Sequence, residues 1–217
     1  MKKKRTIKKT IINILASAPV LWVIFKINNL YFKIAKREKY EIRETGSYIF
    51  LAHVGLINHK ELFDLVENAV DFVKTFLFGT YKEYSITDLK RKMMIMLFSG
   101  MLNKNVFYGI YTNEANPKLV GMIHTNTYSL SKKEAEMGCF IGEKYWSKGY
   151  ASKAYSMIEK FLINKKGIKS FFLIIGTYNT YSIKVAERFG YVKTNLDEVK
   201  LLFEFRKNIP ANKNILQ

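Results

Sequence analysis

The sequence predicts a single α/β (α+β) domain in which a mixed sheet is flanked by helices. The chain has 217 residues, of which 48% are hydrophobic and 15% aromatic, enough to fill one sizeable core. Two helical patterns come early, and a meander of strands follows them. Strands then alternate with helices to the end of the last strand. This order favours a mixed sheet within one domain.

The first elements are two short extended stretches, at residues 40–43 and 48–54, followed by two helices. Asn58 and Glu61 have the spacing of a capping box, and apolar residues recur behind them with a helical period. Residues 85–100 show a second start signal and a second apolar stripe. We therefore expect an amphipathic helix after each of these two signals.

The later elements are predicted to alternate between strands and helices. Residues 106–111 and 119–125 form two strands around a turn, and residues 135–141 form a third. An unbroken apolar run at residues 171–175 is typical of a central strand covered on both faces. The remaining predicted elements are a helix from Ala151, a helix that ends at Gly190, and a last strand at residues 199–205.

The charge of the chain is unevenly distributed. Residues 1–40 carry +10 of the net charge of +18. Such a basic field favours an anionic partner such as nucleic acid, phosphate or a membrane surface, and a coding bias towards lysine explains it equally well. An apolar run from Ile11 to Phe25 is short for a membrane span. For residues 1–39 three interpretations stay open: a helix packed on the domain, an anchor on a membrane surface, or a marginal insertion.

We expect the domain itself to occupy residues 40–217, with residues 1–39 as a basic and apolar extension. A cytoplasmic location is expected, and membrane association through the extension is left open. The single cysteine, Cys139, excludes an intrachain disulfide and a cysteine-based zinc site, and we interpret it as a small buried hydrophobe. The histidines lie too far apart for common metal-ligand spacings. No metal site is predicted.

The most informative segment lies between a predicted strand and a predicted amphipathic helix, at residues 145–151. Gly149 stands just before the helix, where a glycine allows close approach of another group to the backbone. The free amides at the start of a helix can bind a phosphate or pyrophosphate. Taken alone, such a turn is more often structural than functional.

Four segments in order resemble the GNAT acetyltransferase family. They are residues 135–142, 145–154, 179–182 and 187–191. The family's loop, Arg/Gln-x-x-Gly-x-Gly/Ala, is matched by Trp146-Ser-Lys-Gly-Tyr-Ala151, with Trp in the first place. Within the family the chain is similar to the branch that acetylates N-terminal amines of ribosomal proteins. The resemblance is clearest over residues 119–191.

The resemblance implies that acetyl-CoA is the co-substrate and that the sheet is splayed between residues 135–141 and 171–175. The pantetheine arm would bind exposed backbone near Phe140 and Ile141. Asn179 would contact the cofactor and cap the following helix, and Ser182 would protonate the departing thiolate. The pyrophosphate would lie on the amides of Trp146, Ser147, Lys148, Gly149, Tyr150 and Ala151.

The general base is less well defined by the resemblance. Glu136 lies on the strand that borders the cofactor, where it serves either as the base or as a structural carboxylate, with equal weight. The family's segment that can supply another glutamate is short here, since residues 192–198 are predicted to run almost straight into the last strand. Tyr81 and Tyr84 are predicted acceptor contacts.

The resulting hypothesis is direct transfer of an acetyl group from acetyl-CoA to an amine, with the N-terminal amine of a protein as the preferred acceptor. Two alternatives remain at this stage. In the first, the acceptor is a small amine such as a polyamine or an antibiotic. In the second, the protein is a weakly catalytic or non-catalytic GNAT-like binding module attached to RNA or a membrane by residues 1–39. The sequence does not define the oligomeric state.

Overall fold

The computed structural model describes residues 41–69, 85–101 and 105–210, and elements are numbered in chain order within these ranges. Predictions for residues 1–40, and for Tyr81 and Tyr84, lie outside the described residues. The helices are α1 His59–Glu67, α2 Ile86–Met101, α3 Tyr150–Lys166 and α4 Thr180–Arg188. The strands are β1 Glu41–Ile42, β2 Ile49–His53, β3 Phe107–Thr112, β4 Leu119–Ser129, β5 Glu134–Ile141, β6 Ser170–Gly176, β7 Val192–Asp197 and β8 Leu202–Asn208.

The described strands form one mixed sheet in the order β1-β2-β3-β4-β5-β6-β8-β7. Neighbouring strands are antiparallel except β5 and β6, which are parallel. The helix α3 connects these two parallel strands, as a crossover must. The mixed α/β sheet that the sequence predicts is therefore confirmed.

Local sequence explains where the helices begin. The Asn58 side chain accepts hydrogen bonds from the amides of Lys60 and Glu61, and so caps α1. The Asp88 carboxylate accepts hydrogen bonds from the amide and hydroxyl of Ser85, one residue before α2. Both start signals read from the sequence are thus confirmed as helix N-termini.

The end of the chain differs from the prediction. Residues 192–197 form a separate strand, β7, which pairs with β8 in a hairpin, and residues 198–201 form the turn between them. The predicted last strand at residues 199–205 therefore begins too early. Every residue of β7 except Asp197 is exposed, so the strand lacks the buried alternation by which sequence patterns reveal strands.

Helices cover the two faces of the sheet unequally. One core lies between α1, α2 and the face of β2–β5 that bears Phe107, Met122 and Phe140. A second core lies between α3 and the opposite face, and includes Met137 and Phe171. Along β2–β5, successive residues therefore alternate between the two cores.

The prediction that β6 is covered on both faces is wrong. Phe171, Leu173 and Ile175 are buried under α3, but Phe172 is only half-buried and Ile174 is 40% exposed. The partners of these two residues on β8 are Arg206 and Glu204. We call this side of β6 and β8 the open face, because no helix of the described ranges buries it as α3 buries the other side.

Candidate active site

The sheet opens between β5 and β6. These strands pair only through Glu134, Ala135 and Glu136, whose partners are Ser170, Phe171 and Phe172. Beyond this point β5 continues to Ile141 and β6 to Gly176 without further pairing. The gap between residues 137–141 and 173–176 is called the split. The splayed sheet expected at this position is confirmed by this short ladder.

The register with β4 decides which backbone groups of β5 face the split. The Gly142 amide donates to the Val120 carbonyl at 2.9 Å, and the same register pairs Phe140 with Met122. In an antiparallel ladder, residues that exchange hydrogen bonds alternate with residues whose N–H and C=O point the other way. The polar backbone groups of Phe140 thus face β4, whereas those of Cys139 and Ile141 face the split.

The loop at residues 146–151, here called the phosphate loop, joins a 3₁₀ turn at Glu143–Tyr145 to α3. Ser147 (φ 61°) and Gly149 (φ 77°) have left-handed backbones on either side of Lys148, whose φ is negative. Such alternation turns successive amides towards one side and forms an anion-binding concavity. The loop therefore has the backbone shape of a phosphate site.

The amides of the phosphate loop are available to a ligand, with one exception. Gly149 caps α3 without a side-chain hydrogen bond, and the described residues supply no acceptor for the amides of residues 147–151. The Trp146 amide instead donates to the Glu143 carbonyl at 3.0 Å, so it does not belong to the anion-binding set expected from the sequence. Lys144 and Lys148 lie beside the Tyr145 ring and add positive charge.

The phosphate loop and the start of α3 are held by two residues that lie just before β2. The Tyr48 hydroxyl donates to the Gly149 carbonyl at 3.1 Å, and its ring lies 5.9 Å from that of Tyr150. Lys153 in the first turn of α3 forms a 2.6 Å ion pair with Glu44. Sequence analysis missed this role of Tyr48, since no local pattern connects residues 101 positions apart.

Trp146 bridges the two sides of the split. Its indole nitrogen donates to the Ile141 carbonyl at 2.7 Å, which occupies one of the backbone acceptors that face the split. Its ring lies 5.5 Å from the ring of Tyr181 in α4. Tyr181 was not singled out from the sequence, and its contact depends on the approach of the phosphate loop to α4.

Asn179 and Ser182 lie at the start of α4, just beyond β6. The Asn179 side chain accepts a hydrogen bond from the Ser182 amide at 3.1 Å, which confirms that Asn179 caps the helix. The remaining amide group of Asn179 and the hydroxyl of Ser182 leave two polar groups at the β6 side of the split. Their contacts with the cofactor remain predictions.

Glu136 occupies the last paired position of β5, at the point where the split begins. The Asn126 amide nitrogen donates to its Oε1 atom at 2.7 Å. Asn126 is the extra residue of a β-bulge, because Thr125 pairs with Met137 and Thr127 pairs with Glu136. Bulges re-aim side chains beside functional sites. Asn126 is a candidate site residue that the sequence analysis missed.

The neighbouring His124 is buried within β4. Desolvation lowers its pKa to about 4, and the charge of Lys92 lowers the pKa further. A hydrogen bond with Asn126 raises the pKa and offsets part of this effect. Burial also lowers the pKa of His53 to about 4, and its Nδ1 accepts a hydrogen bond from the Gly55 amide. Both histidines are therefore neutral at pH 7.

Cys139 points towards α3, away from Glu136. Burial raises the pKa of its thiol to about 12, so it is a thiol and not a thiolate at neutral pH. Among the described residues no group of acidic, histidine and cysteine side chains could hold a metal ion, and no helix is long and apolar enough to cross a membrane.

These features fit a cofactor that carries both phosphates and an extended polar arm. Free amides with nearby lysines suit the phosphates, and the N–H and C=O groups of Cys139 together with the N–H of Ile141 suit the arm. The path leads from the phosphate loop along the split to Glu136. The fold and the site thus define an acyl-CoA-dependent transferase class.

The family profile described as acetyltransferase (GNAT) domain matches residues 58–192, which is more than half of the chain. The chain therefore belongs to the GNAT family of acetyltransferases, enzymes that take the acetyl group from acetyl-CoA. A comparison with curated protein sequences finds no match.

Solved structures with similar folds include several acetyltransferases. The microcin C7 self-immunity acetyltransferase MccE, in complex with acetyl-CoA and AMP, superposes with a TM-score of 0.67 at 20% identity, covering 76% of this chain and 94% of that one. An acetyltransferase from Salmonella typhimurium that modifies the N-terminal serine of ribosomal protein L7/L12 gives 0.64 at 15% identity, covering 78% and 99%. RimL, a ribosomal L7/L12 α-N-protein acetyltransferase in complex with coenzyme A, gives 0.64 at 13%, covering 78% and 98%.

Proposed function

We propose that this acetyltransferase modifies the N-terminal amine of a protein. The observation that carries the proposal is the open face beside Glu136. Phe172 is the partner of Glu136 in the ladder, and Ile174 follows on the same side of β6 with 40% of its surface exposed. A broad surface with exposed apolar side chains suits a polypeptide end, whereas a small amine is usually bound in an enclosed cavity. Two of the structures with similar folds are described as acetylating ribosomal protein L7/L12.

The phosphate loop and the split would hold the cofactor. The amides of Ser147, Lys148, Gly149, Tyr150 and Ala151 would bind its phosphates. The N–H and C=O groups of Cys139 and the N–H of Ile141 would bind its arm, in place of the backbone of Phe140. Acetyl-CoA supplies the thioester that an amine attacks. Its reactive end would then lie near the start of the split.

Glu136 is proposed as the general base, acting directly or through a water molecule. The Asn126 side chain donates a hydrogen bond to its Oε1 atom, which orients the carboxylate, and the carboxylate would take a proton from the ammonium of the acceptor. Ser182 would give a proton to the departing thiolate from the opposite side of the split. The chain thereby holds both proton-transfer groups on the rigid ends of β5 and α4.

The test is acetyl transfer by the full chain to peptides with free or blocked N-termini, followed as thiol release. We expect Glu136→Gln to lower kcat by roughly 10²–10⁴-fold, the usual contribution of a general base, and to leave the Kd of acetyl-CoA unchanged. Glu134→Gln is the matched control, since Glu134 lies two residues earlier on the same side of β5 and is ion-paired with Arg206 at 3.4 Å.

Equal loss of activity in both variants would contradict the role of Glu136 as the base. Turnover of polyamines without turnover of any peptide would show that the acceptor is a small amine and not a protein N-terminus. Binding of acetyl-CoA without turnover of either acceptor class would favour the binding module.

A further inference from the structure

A groove of about 200 Å³ lies between α2, the start of β3 and the bulge of β4. Ile95, near the middle of α2, and Phe107, at the start of β3, form its apolar walls. Ser99, Asn105 and Asn126 contribute polar groups. The groove is on the same side of the sheet as Glu136. His124 pairs with both Phe107 and Gly138, and Glu136 lies two residues before Gly138 in β5, so both face the same side.

Asn126 connects this groove to the proposed base. Its side chain lines the groove and also donates to Glu136 Oε1 at 2.7 Å. A ligand that fills the groove is therefore separated from the carboxylate by a single side chain. Because Asn126 both lines the groove and contacts Glu136, an amino acid with its side chain in the groove would have its α-amine on the side of Glu136.

The charge of the groove restricts the chemistry of that side chain. Among the described residues that line the groove, Lys92 is charged and none is acidic. The side chains of Ser99, Asn105 and Asn126 can each donate a hydrogen bond. The ammonium group of Lys92 attracts a carboxylate and repels a cation, and the neutral Ser and Asn side chains can donate hydrogen bonds to that carboxylate.

We propose that the groove binds the first side chain of the acceptor protein and selects an acidic residue, Asp or Glu, at that position. This proposal rests on the proposed function, since it assigns a specificity site to N-terminal acetylation. In this arrangement Lys92 and the polar groove residues pair with the carboxylate of the acceptor, and Asn126 holds Glu136 beside its amine.

The experiment compares kcat/KM of the full chain for three peptides that differ only in a first residue of Asp, Ser or Lys. We expect the Asp peptide to exceed the Lys peptide by at least tenfold. Lys92→Glu should reverse this order, and Lys92→Gln should reduce the ratio towards one. Ratios between peptides are compared within each variant, so a general loss of activity or stability cancels.

Arg91→Glu is the control, because it changes the net charge by the same amount on the exposed side of α2, where Arg91 lies 3.8 Å from Asp88. It should retain the preference of the unmodified chain. Acetylation of all three peptides at equal rates, or an equal change of the ratio in Lys92→Glu and Arg91→Glu, would overturn this proposal alone. Absence of acetylation of any peptide would overturn the proposed function and this specificity with it.

Discussion

Gly149 allows the strongest test of the phosphate loop, because its replacement has a backbone effect and a ligand effect that can be separated. The residue has φ 77°, and an L-amino acid in the left-handed region costs roughly 1–2 kcal/mol. A Cβ atom would lie 3.0 Å from the Tyr48 hydroxyl oxygen. Gly149→Ala should therefore lower the free energy of unfolding by about 1–2 kcal/mol, or the melting temperature by roughly 2–8 °C at 2–4 °C per kcal/mol.

Gly167→Ala is the matched control for this backbone cost. Gly167 ends the same helix with φ 66°, and a Cβ there would meet no atom within 4 Å. The two alanine variants should lose similar stability. Only the change at Gly149 places a side chain among the free amides of the phosphate loop, so only that change should weaken binding of acetyl-CoA.

Gly149→Glu adds a negative charge where the phosphates are expected. Two like charges 5 Å apart repel by about 3 kcal/mol at an effective dielectric constant of 20, which corresponds to a loss of affinity of more than a hundredfold. The assay is thermal melting with increasing acetyl-CoA. A ligand at a hundredfold excess over its Kd stabilises the folded chain by about 2.7 kcal/mol.

The unmodified chain and Gly167→Ala should show this rise in melting temperature, Gly149→Ala a smaller one, and Gly149→Glu none. An undiminished rise in Gly149→Glu would refute the assignment of the phosphate loop. An equal loss in Gly167→Ala would show that the effect comes from strain in α3 and not from the ligand site.

Three further predictions concern single groups. Asn179→Ala should lower the free energy of unfolding by about 0.5–2 kcal/mol, because the helix cap of α4 is lost. Ser182→Ala should leave the melting temperature unchanged and lower kcat. Thermal melts and rate measurements on both variants distinguish the loss of the cap from a loss of catalysis. His53 and His124 have pKa values of about 4 in the folded chain and 6.5 in the unfolded chain, so the unfolded chain binds more protons between pH 4 and pH 6.5. The free energy of unfolding should therefore fall by up to about 3 kcal/mol per histidine as the pH drops from 6.5 to 4. Urea denaturation should show a smaller fall in His124→Phe, and an identical pH profile would contradict the assignment. The Cys139 thiol is partly buried and has a pKa of about 12, so at pH 8 it should react with Ellman's reagent much more slowly in the native chain than in urea. Equal rates in the two states would contradict the raised pKa.

Much of the site could be predicted from local sequence. The start of α3 at Gly149 follows from a glycine beside small residues before an amphipathic helix, and the cap at Asn179 follows from an Asx residue three positions before the Ser182 amide. Local backbone rules act within a few residues, so these features are visible in the sequence. The same rules failed for β7, whose exposed side chains carry no alternating pattern.

Tertiary structure decided which groups meet. The role of Tyr48 at Gly149 and the contact of Trp146 with Tyr181 depend on elements that approach only in the folded chain. The bulge that turns Asn126 to Glu136 depends on the pairing of β4 with β5, which no spacing in the sequence encodes. Strand parity likewise determined that the backbone of Cys139, and not that of Phe140, faces the split.

The sequence by itself therefore determined the family, the order of elements as far as α4 and the position of the loop before α3, because each of these is encoded by residues close together in the chain. Only the tertiary structure determined the length of the split, the uncovered face of β6 and the hydrogen bond that orients Glu136. Those properties depend on strand register and on which face a helix covers, and both are set by packing between segments far apart in sequence.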